Sequence, residues 1–355
     1  MKAIVIHEFG PPDVLKYEEA AEPILRRGDI RIEVRAASVN RVLDVSVRAG
    51  KQNHRGIRLP LTPGVDCAGI VTGLGDGVTR FKLGDHVVVG GQVPLEPCAE
   101  DGAGYAGPYG MMGIHRSGSF AEAVAVPACA VDLLPPEIGF HEATVAYRHA
   151  PVAWNLLVNL AQVKAGEWVL VMGAGGNLGS IGIQLAKHVV GAHVIAAAGS
   201  DDRVNAGLKL GADHGINYRN SDIHAEVMRI TGGKGVNVLY DNVANSQVLP
   251  KAFLALGEGG RLVTAGSLGG PSASIDFYHL THRAIKILGT VSHRRGDVAN
   301  CLRAVAEGKI EIQIARVLPL SEAAIAHRMI EADQGLGKIV LDPTMRSVPS
   351  RSRLD

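Results

Sequence analysis

The sequence predicts a two-part α/β chain: a strand-rich region, then a doubly wound parallel sheet suited to a dinucleotide. Three observations carry this. From Trp168 onward, short apolar runs alternate with stretches of helical period. The first run, Val169-Leu170-Val171-Met172, opens into a glycine-rich turn and then a segment with Ile181, Gln184, Leu185 and His188 at helical spacing. The N-terminal part is strand-rich, with stretches of period two broken by glycine and proline turns, as half-buried strands require.

Taken in order, Lys2 to Ile6 starts the chain as a strand. Ile30, Ile32, Val34 and Ala36 alternate with Arg31, Glu33 and Arg35, which places one strand face in a core. Turns follow at Thr62-Pro63-Gly64 and from Gly73 to Gly77, and Phe81 to Val89 is a turn feeding a strand. Gly90 to Gly118 has no period and reads as a long loop or lobe, a type of segment that is commonly functional or mobile. Ser119 to Val126 resumes a strand, and Phe140 to Val163 reads as a helix that Pro151 would break or kink. Sheet strands are expected at 169–172, 193–198, 214–217, 236–240, 261–265 and 286–291, with helices between most of them. Helices at 298–307 and 320–331 and a strand at 338–341 follow, and the polar Ser347 to Asp355 is expected to fray.

The turn has the spacing Ala174-x-Gly176-x-x-Gly179. Ala174 lets the turn close, Gly176 lets a pyrophosphate approach the backbone, and Gly179 lets the helix pack on the strand. The free N–H groups of the helix start, across Gly175, Asn177 and Leu178, then face the anion. An NAD site expects an acidic residue at the tip of the next strand, yet the tip here is Gly199-Ser200, and Asp201 and Asp202 read as the start of a helix. Ser200, Arg203 and Tyr218 together offer two hydroxyls and a guanidinium, which suit a ribose 2′-phosphate. NADP(H) is therefore the expected cofactor.

Composition narrows the function classes. The 355 residues suffice for two domains, with 46% hydrophobic and 20% charged residues, an ordinary globular balance. Net charge is +1, and the one basic stretch is the short tail from Arg346 to Arg353, so nucleic-acid binding has no support. No signal peptide is read at the start, and no apolar segment is long enough for a membrane span. Cys67, Cys98, Cys129 and Cys301 are scattered without a C-x-x-C pair, so neither a disulfide framework nor a zinc knuckle is expected, and a reducing cytoplasm is the default setting.

Several ordered motifs converge on one family. They are Gly64-Val65-Asp66-Cys67-Ala68-Gly69, Val78 to Val87, Gly118-Ser119-Phe120-Ala121-Glu122 and the glycine fingerprint. Leu208 to Asp213, Ile216 to Arg219, Thr231 to Val236, Leu239 to Val243 and Gly337-Lys338-Ile339-Val340-Leu341 complete the set. With these the chain resembles the medium-chain dehydrogenase/reductase superfamily, and within it the quinone oxidoreductase-like, zinc-independent branch. The resemblance implies a GroES-like catalytic domain from both chain ends, 1–134 and 298–355, around a Rossmann domain at 135–297, with hydride transfer in the cleft between them. It further implies cofactor contacts from Asn242, Gly266 and Lys338, and a homodimer formed through the strand at 286–291.

Many members of the superfamily carry zinc, which needs three protein ligands in a catalytic site. The resemblance places the ligand cysteine within Ser38-Val39-Asn40-Arg41, where there is none, and the ligand histidine at Val65. The lobe from Gly90 to Gly118 keeps one cysteine, Cys98, too few for a structural zinc. Without a Lewis acid, a conjugated acceptor is an easier target than a lone carbonyl, because its charge delocalises onto a distant oxygen that needs only a donor. The sequence thus reads as an NADPH-dependent reductase of quinones or α,β-unsaturated carbonyls, acting on a small molecule. Asn40, Arg148 and His149 are the candidate catalytic residues, and the spacing to Asp44 leaves open whether Asn40 or Arg41 fills the position beside the nicotinamide. His149 reads either as a donor to the substrate oxygen or as a histidine packing a helix end. A zinc alcohol dehydrogenase with atypical ligands and a non-catalytic NADPH-binding protein are the alternatives.

Overall fold

The computed structural model of the chain describes residues 1–52, 55–96, 98–100, 102, 105–266, 269–333 and 335–346. The expectation of a frayed tail at 347–355 lies outside the described residues. The chain divides into two units, Met1–Arg148 with Ile314–Asp355, and His149–Gln313. These boundaries fall later in the chain than 134/135 and 297/298. The helix Arg295–Ala306 therefore lies wholly in the second unit, where its Cys301 and Ala304 join the core.

The first unit opens with an antiparallel ribbon of β1 (Lys2–Val5) and β2 (Lys16–Glu19). Its main sheet is built on β3 (Asp29–Ser38), whose Ile30, Ile32, Val34 and Ala36 are all buried as their alternation requires. Around it stand β4 (Cys67–Leu74), β5 (His86–Val89), β8 (Ala123–Pro127) and β9 (Val131–Leu133). The segment expected as an unstructured lobe contains a short ribbon, β6 (Gln92–Pro94) with β7 (Tyr109–Met111). Its Met112 and Ile114 reach the core that Ile32, Val87 and Phe120 share. Full burial of side chains of this size contributes about 1.5–3 kcal/mol each.

Contrary to the expectation that the cysteines are unpaired, Cys98 of the lobe is bonded to Cys129, just before β9, 31 residues on. The pair is long-range, so no local spacing marks it. Glu100 reinforces the same junction, its carboxylate accepting from Thr79 N (2.6 Å), Thr79 Oγ1 (2.8 Å) and Arg80 N (2.6 Å).

The second unit carries a parallel sheet of β10 (Trp168–Met172), β11 (His193–Ala198), β12 (His214–Asn217), β13 (Val236–Asp241), β14 (Leu256–Thr264) and β15 (Lys286–Gly289). The strand order is β12-β11-β10-β13-β14-β15, so the order reverses between β10 and β13. Alternation divides the side chains between two cores. Val169, Val171, Val194 and Ala196 enter one, and Leu170, Met172, Ile195 and Ala197 the other. The helix Phe140–Trp154 contains Pro151 and continues as a π-helical turn over Asn155–Leu160, so proline does not end it. The chain then returns to the first unit through β16 (Ile314–Pro319), which the sequence pattern did not single out, and β17 (Lys338–Asp342), which pairs with β3. Among the described residues no helix is long and apolar enough to cross a membrane.

Candidate active site

In the first unit, β3 ends at Ser38, and a π-helical turn over Arg41–Val45 follows Asn40. This geometry separates the two candidates for one position. Asn40 is buried, whereas Arg41 is exposed and donates to Ile330 O and to Asp333 (3.1 Å). Pairing of β17 with β3 sets Lys338 beside Asn40, since Val39 N donates to Ile339 O (2.9 Å).

Asn40 is the junction of a buried polar cluster. Asp66, fully buried, accepts from Ser38 N (2.9 Å), Ser38 Oγ (2.9 Å), Asn40 Nδ2 (2.9 Å) and Thr144 Oγ1 (2.6 Å). Asp44 Oδ2 accepts from Asn40 N (2.7 Å) and Asn40 Nδ2 (3.1 Å). Lys338 Nζ donates to Val39 O (2.9 Å) and to Asn40 Oδ1. The Asn40 amide thus spends both its N–H groups and its oxygen inside the cluster, which differs from the expectation that it faces the substrate. Lys338, expected at the cofactor, is likewise buried and engaged with Val39 and Asn40.

Burial and then the neighbouring charge of Asp66 push the Asp44 carboxyl up to about 7, against the Asn40 donors and Lys338. It therefore holds a proton into the neutral range. Burial pulls the Lys338 ammonium down to about 8, opposed by Asp66 and Asp44 and assisted by Arg148. Arg148 and His149 are both half-buried on the helix Phe140–Trp154, and Arg148 Nε is buried without a hydrogen-bond partner.

These residues do not fit a zinc centre. Val65, at the expected histidine position, is buried and apolar, and the Asp66 carboxylate is filled by four donors. Burial pushes the Cys67 thiol up, away from the thiolate a metal requires. Among the described residues no three His, Cys, Asp or Glu side chains are grouped to hold a metal.

In the second unit, the glycine turn joins β10 to the helix Asn177–Gln184. A Cβ at Gly179 would lie 2.1 Å from Gly173 O, so only glycine permits this approach of helix to strand. A Cβ at Gly175 would lie 2.7 Å from Arg203 Cβ, which places the base of Arg203 against the turn. Ala174 is fully buried, and Gly176 caps the helix that Asn177 and Leu178 begin.

At the tips of β11 and β12 the structure brings Ser200, Arg203 and Tyr218 into one region and adds a fourth member, Arg219. A Cβ at Gly199 would lie 3.2 Å from the Tyr218 ring and 3.3 Å from Arg219 Nε. Burial raises the Tyr218 phenol, opposed by the charges of Arg219 and Arg203. Ser200 caps the helix Asp201–Lys209 without a side-chain bond to it, and Asp201 is engaged by Asn217 Nδ2 (2.7 Å). Arg219 was legible only as the neighbour of Tyr218 in the sequence.

Beyond β13 and β14, Asn242 and Gly266 lie together, a Cβ at Gly266 meeting the Asn242 carbonyl carbon at 2.5 Å. Asn242 Nδ2 donates to Met172 O (3.1 Å), while its Oδ1 is buried without a partner. An open acceptor at the reversal of strand order, beside a helix N-terminus and a cationic strand tip, fits a dinucleotide.

Comparison with known proteins agrees with this architecture. The family model described as "Alcohol dehydrogenase GroES-like domain" matches residues 26–136, and that described as "Zinc-binding dehydrogenase" matches 177–307. The chain is 31% identical over 352 residues to an NAD-dependent alcohol dehydrogenase of Sulfolobus acidocaldarius, covering 97% of this chain and 100% of that one. It is 31% identical over 347 residues to the quinone oxidoreductase of Sus scrofa (96% and 97% covered). It is 29% identical over 361 residues to a 2-haloacrylate reductase of Burkholderia sp (96% and 98%). Among solved structures, that of AibC superposes with a TM-score of 0.89 at 28% identity, over 97% of this chain and 96% of the other. Matched along nearly its whole length, the chain belongs to the medium-chain dehydrogenase/reductase superfamily of oxidoreductases, in its quinone oxidoreductase-like group.

Proposed function

We propose that the chain is an NADP(H)-dependent reductase of quinones or α,β-unsaturated carbonyls that transfers hydride without a metal. The observation that carries the reading is the closed Asp66–Asn40–Lys338 cluster. Asn40, in the segment where the resemblance places the ligand cysteine, spends its amide on Asp66 and Lys338, and Val65, at the position of the ligand histidine, is apolar, so stabilising charge falls to the chain's own donors. The reduced nicotinamide supplies the hydride when bound. Arg203 and Arg219 pair with the 2′-phosphate, assisted by Ser200 and Tyr218. The N–H groups from Gly176 to Leu178 bind the pyrophosphate. Arg148 and His149 donate to the substrate oxygen as it gains charge.

The quinone oxidoreductase and the 2-haloacrylate reductase support a conjugated acceptor by their names, whereas the alcohol dehydrogenase favours a simple carbonyl and NAD. The edge strand β15 supports a homodimer: Ile287 and, just beyond it, Val291 are exposed, as are Phe277 and Tyr278 on the adjoining helix. The deciding experiment follows oxidation of NADPH and of NADH against quinones, enones and aldehydes, with and without a chelator. Preference for NADPH with conjugated acceptors, unaffected by the chelator, is expected. Turnover of simple aldehydes alone, abolished by the chelator, would refute the reading.

A further inference from the structure

The reversal of strand order brings the tips of β10, β13 and β14 together, and Asp241 organises that junction. It ends β13 and is 1% exposed. Its Oδ1 accepts from Val243 N (3.2 Å), and its Oδ2 from Ala244 N (2.9 Å) and from Thr264 Oγ1 at the tip of β14 (3.4 Å). Ala244 stands at φ +56°, a left-handed conformation that alanine disfavours, and the Asp241 carboxylate holds it there. Thr264 Oγ1 in turn accepts from Gly266 N (3.1 Å).

Asn242 sits inside this framework. One side of its amide is tied to the end of β10 through Met172 O, and the other side, Oδ1, is buried with no donor. A buried acceptor without a donor calls for a partner that the fold itself does not supply, and here it lies beside the glycine turn and the reversal of strand order. The region that fits the 2′-phosphate is elsewhere, on the β11 and β12 side of β10.

We propose that Asp241 is a positioning residue for the nicotinamide end of the cofactor: it fixes the backbone from 242 to 244 so that Asn242 Oδ1 accepts from the nicotinamide carboxamide. This rests on the dinucleotide reading given above. In D241N an NH₂ replaces one acceptor oxygen, so a backbone N–H in the turn faces a donor instead of an acceptor. The turn then relaxes and Asn242 moves with it.

The test is a binding titration of wild type and D241N with two probes, NADPH and adenosine 2′,5′-bisphosphate, which lacks the nicotinamide. NADPH should weaken at least tenfold while the fragment changes less than twofold. A purely structural role would move both equally, and equal weakening, or unchanged NADPH binding, overturns the proposal. Should D241N fail to fold, T264V removes only the hydroxyl that reaches Asp241 and Gly266. It should weaken NADPH severalfold and spare the fragment, and no selective loss there also overturns the proposal. If wild type binds neither probe, the dinucleotide reading itself falls.

Discussion

Acidification should destabilise the first unit through one residue, His327. Its side chain is 0% exposed and neither ring nitrogen has a hydrogen-bond partner. The ring packs edge-on to Phe120 (6.1 Å, 80°). Burial first, and the Arg48 guanidinium second, hold its pKa down to about 3, against 6.5 for an ordinary histidine. Arg48 is itself 1% exposed and is held by Gly10 O (2.8 Å) and Glu331. The unfolded chain therefore takes up a proton on His327 below pH 6.5 that the folded chain refuses. Stability from this group is complete above that value and is lost as pH falls toward 3. Each pH unit in the window costs ~1.4 kcal/mol, hence ~2 kcal/mol by pH 5. His327→Leu keeps an apolar side chain of similar volume and removes the titration. Urea unfolding at pH 7.5, 6.0 and 5.0 reads the difference, because contributions from other groups are common to both proteins. The wild type should lose ~2 kcal/mol more than the variant between pH 7.5 and 5.0. Parallel pH dependences in the two proteins would refute the argument.

Three further outcomes are expected. Arg203→Ala should weaken NADPH by about 1.5–3 kcal/mol with little effect on NADH, and a titration showing equal losses would remove Arg203 from the 2′-phosphate. Joint replacement of Cys98 and Cys129 by serine, or reduction of the wild type, should cost about 4 kcal/mol by the chain-entropy relation for a 31-residue separation, and a thermal melt indifferent to reductant would contradict it. His149→Phe should lower kcat and kcat/KM together by on the order of 10²-fold with the melt unchanged, whereas a near wild-type kcat would return His149 to a packing role.

What could be read from the sequence was what neighbours along the chain determine. The glycine turn is local: Gly173 and Gly179, whose close approach defines it, are six residues apart in one strand–turn–helix. The apolar runs of the parallel sheet were legible because burial on both faces leaves little room for polar residues. The first unit is assembled from distant pieces. Asn40 reads as a candidate catalytic residue until Lys338 and Asp66 converge on it, with Thr144 donating to the same Asp66. Cys98 and Cys129 look unrelated until the lobe folds back to β9. Pro151 signals a helix break, yet the helix runs through it into a π-helical turn. Nothing in the local pattern distinguishes His327, on the helix Ala323–Glu331, from a surface histidine; the Phe120 ring it packs on and the Arg48 charge it feels are both far away in sequence.

The central claim is that hydride passes to a conjugated carbon with no metal involved. It is tested most directly by turnover of an enone with NADPH deuterated at the transferable C4 position, in the presence of a chelator, with the product examined by NMR. Deuterium at the β-carbon of a saturated ketone is the result this account predicts. Deuterium on the carbonyl carbon of an alcohol, or transfer that stops when the chelator is added, would contradict it.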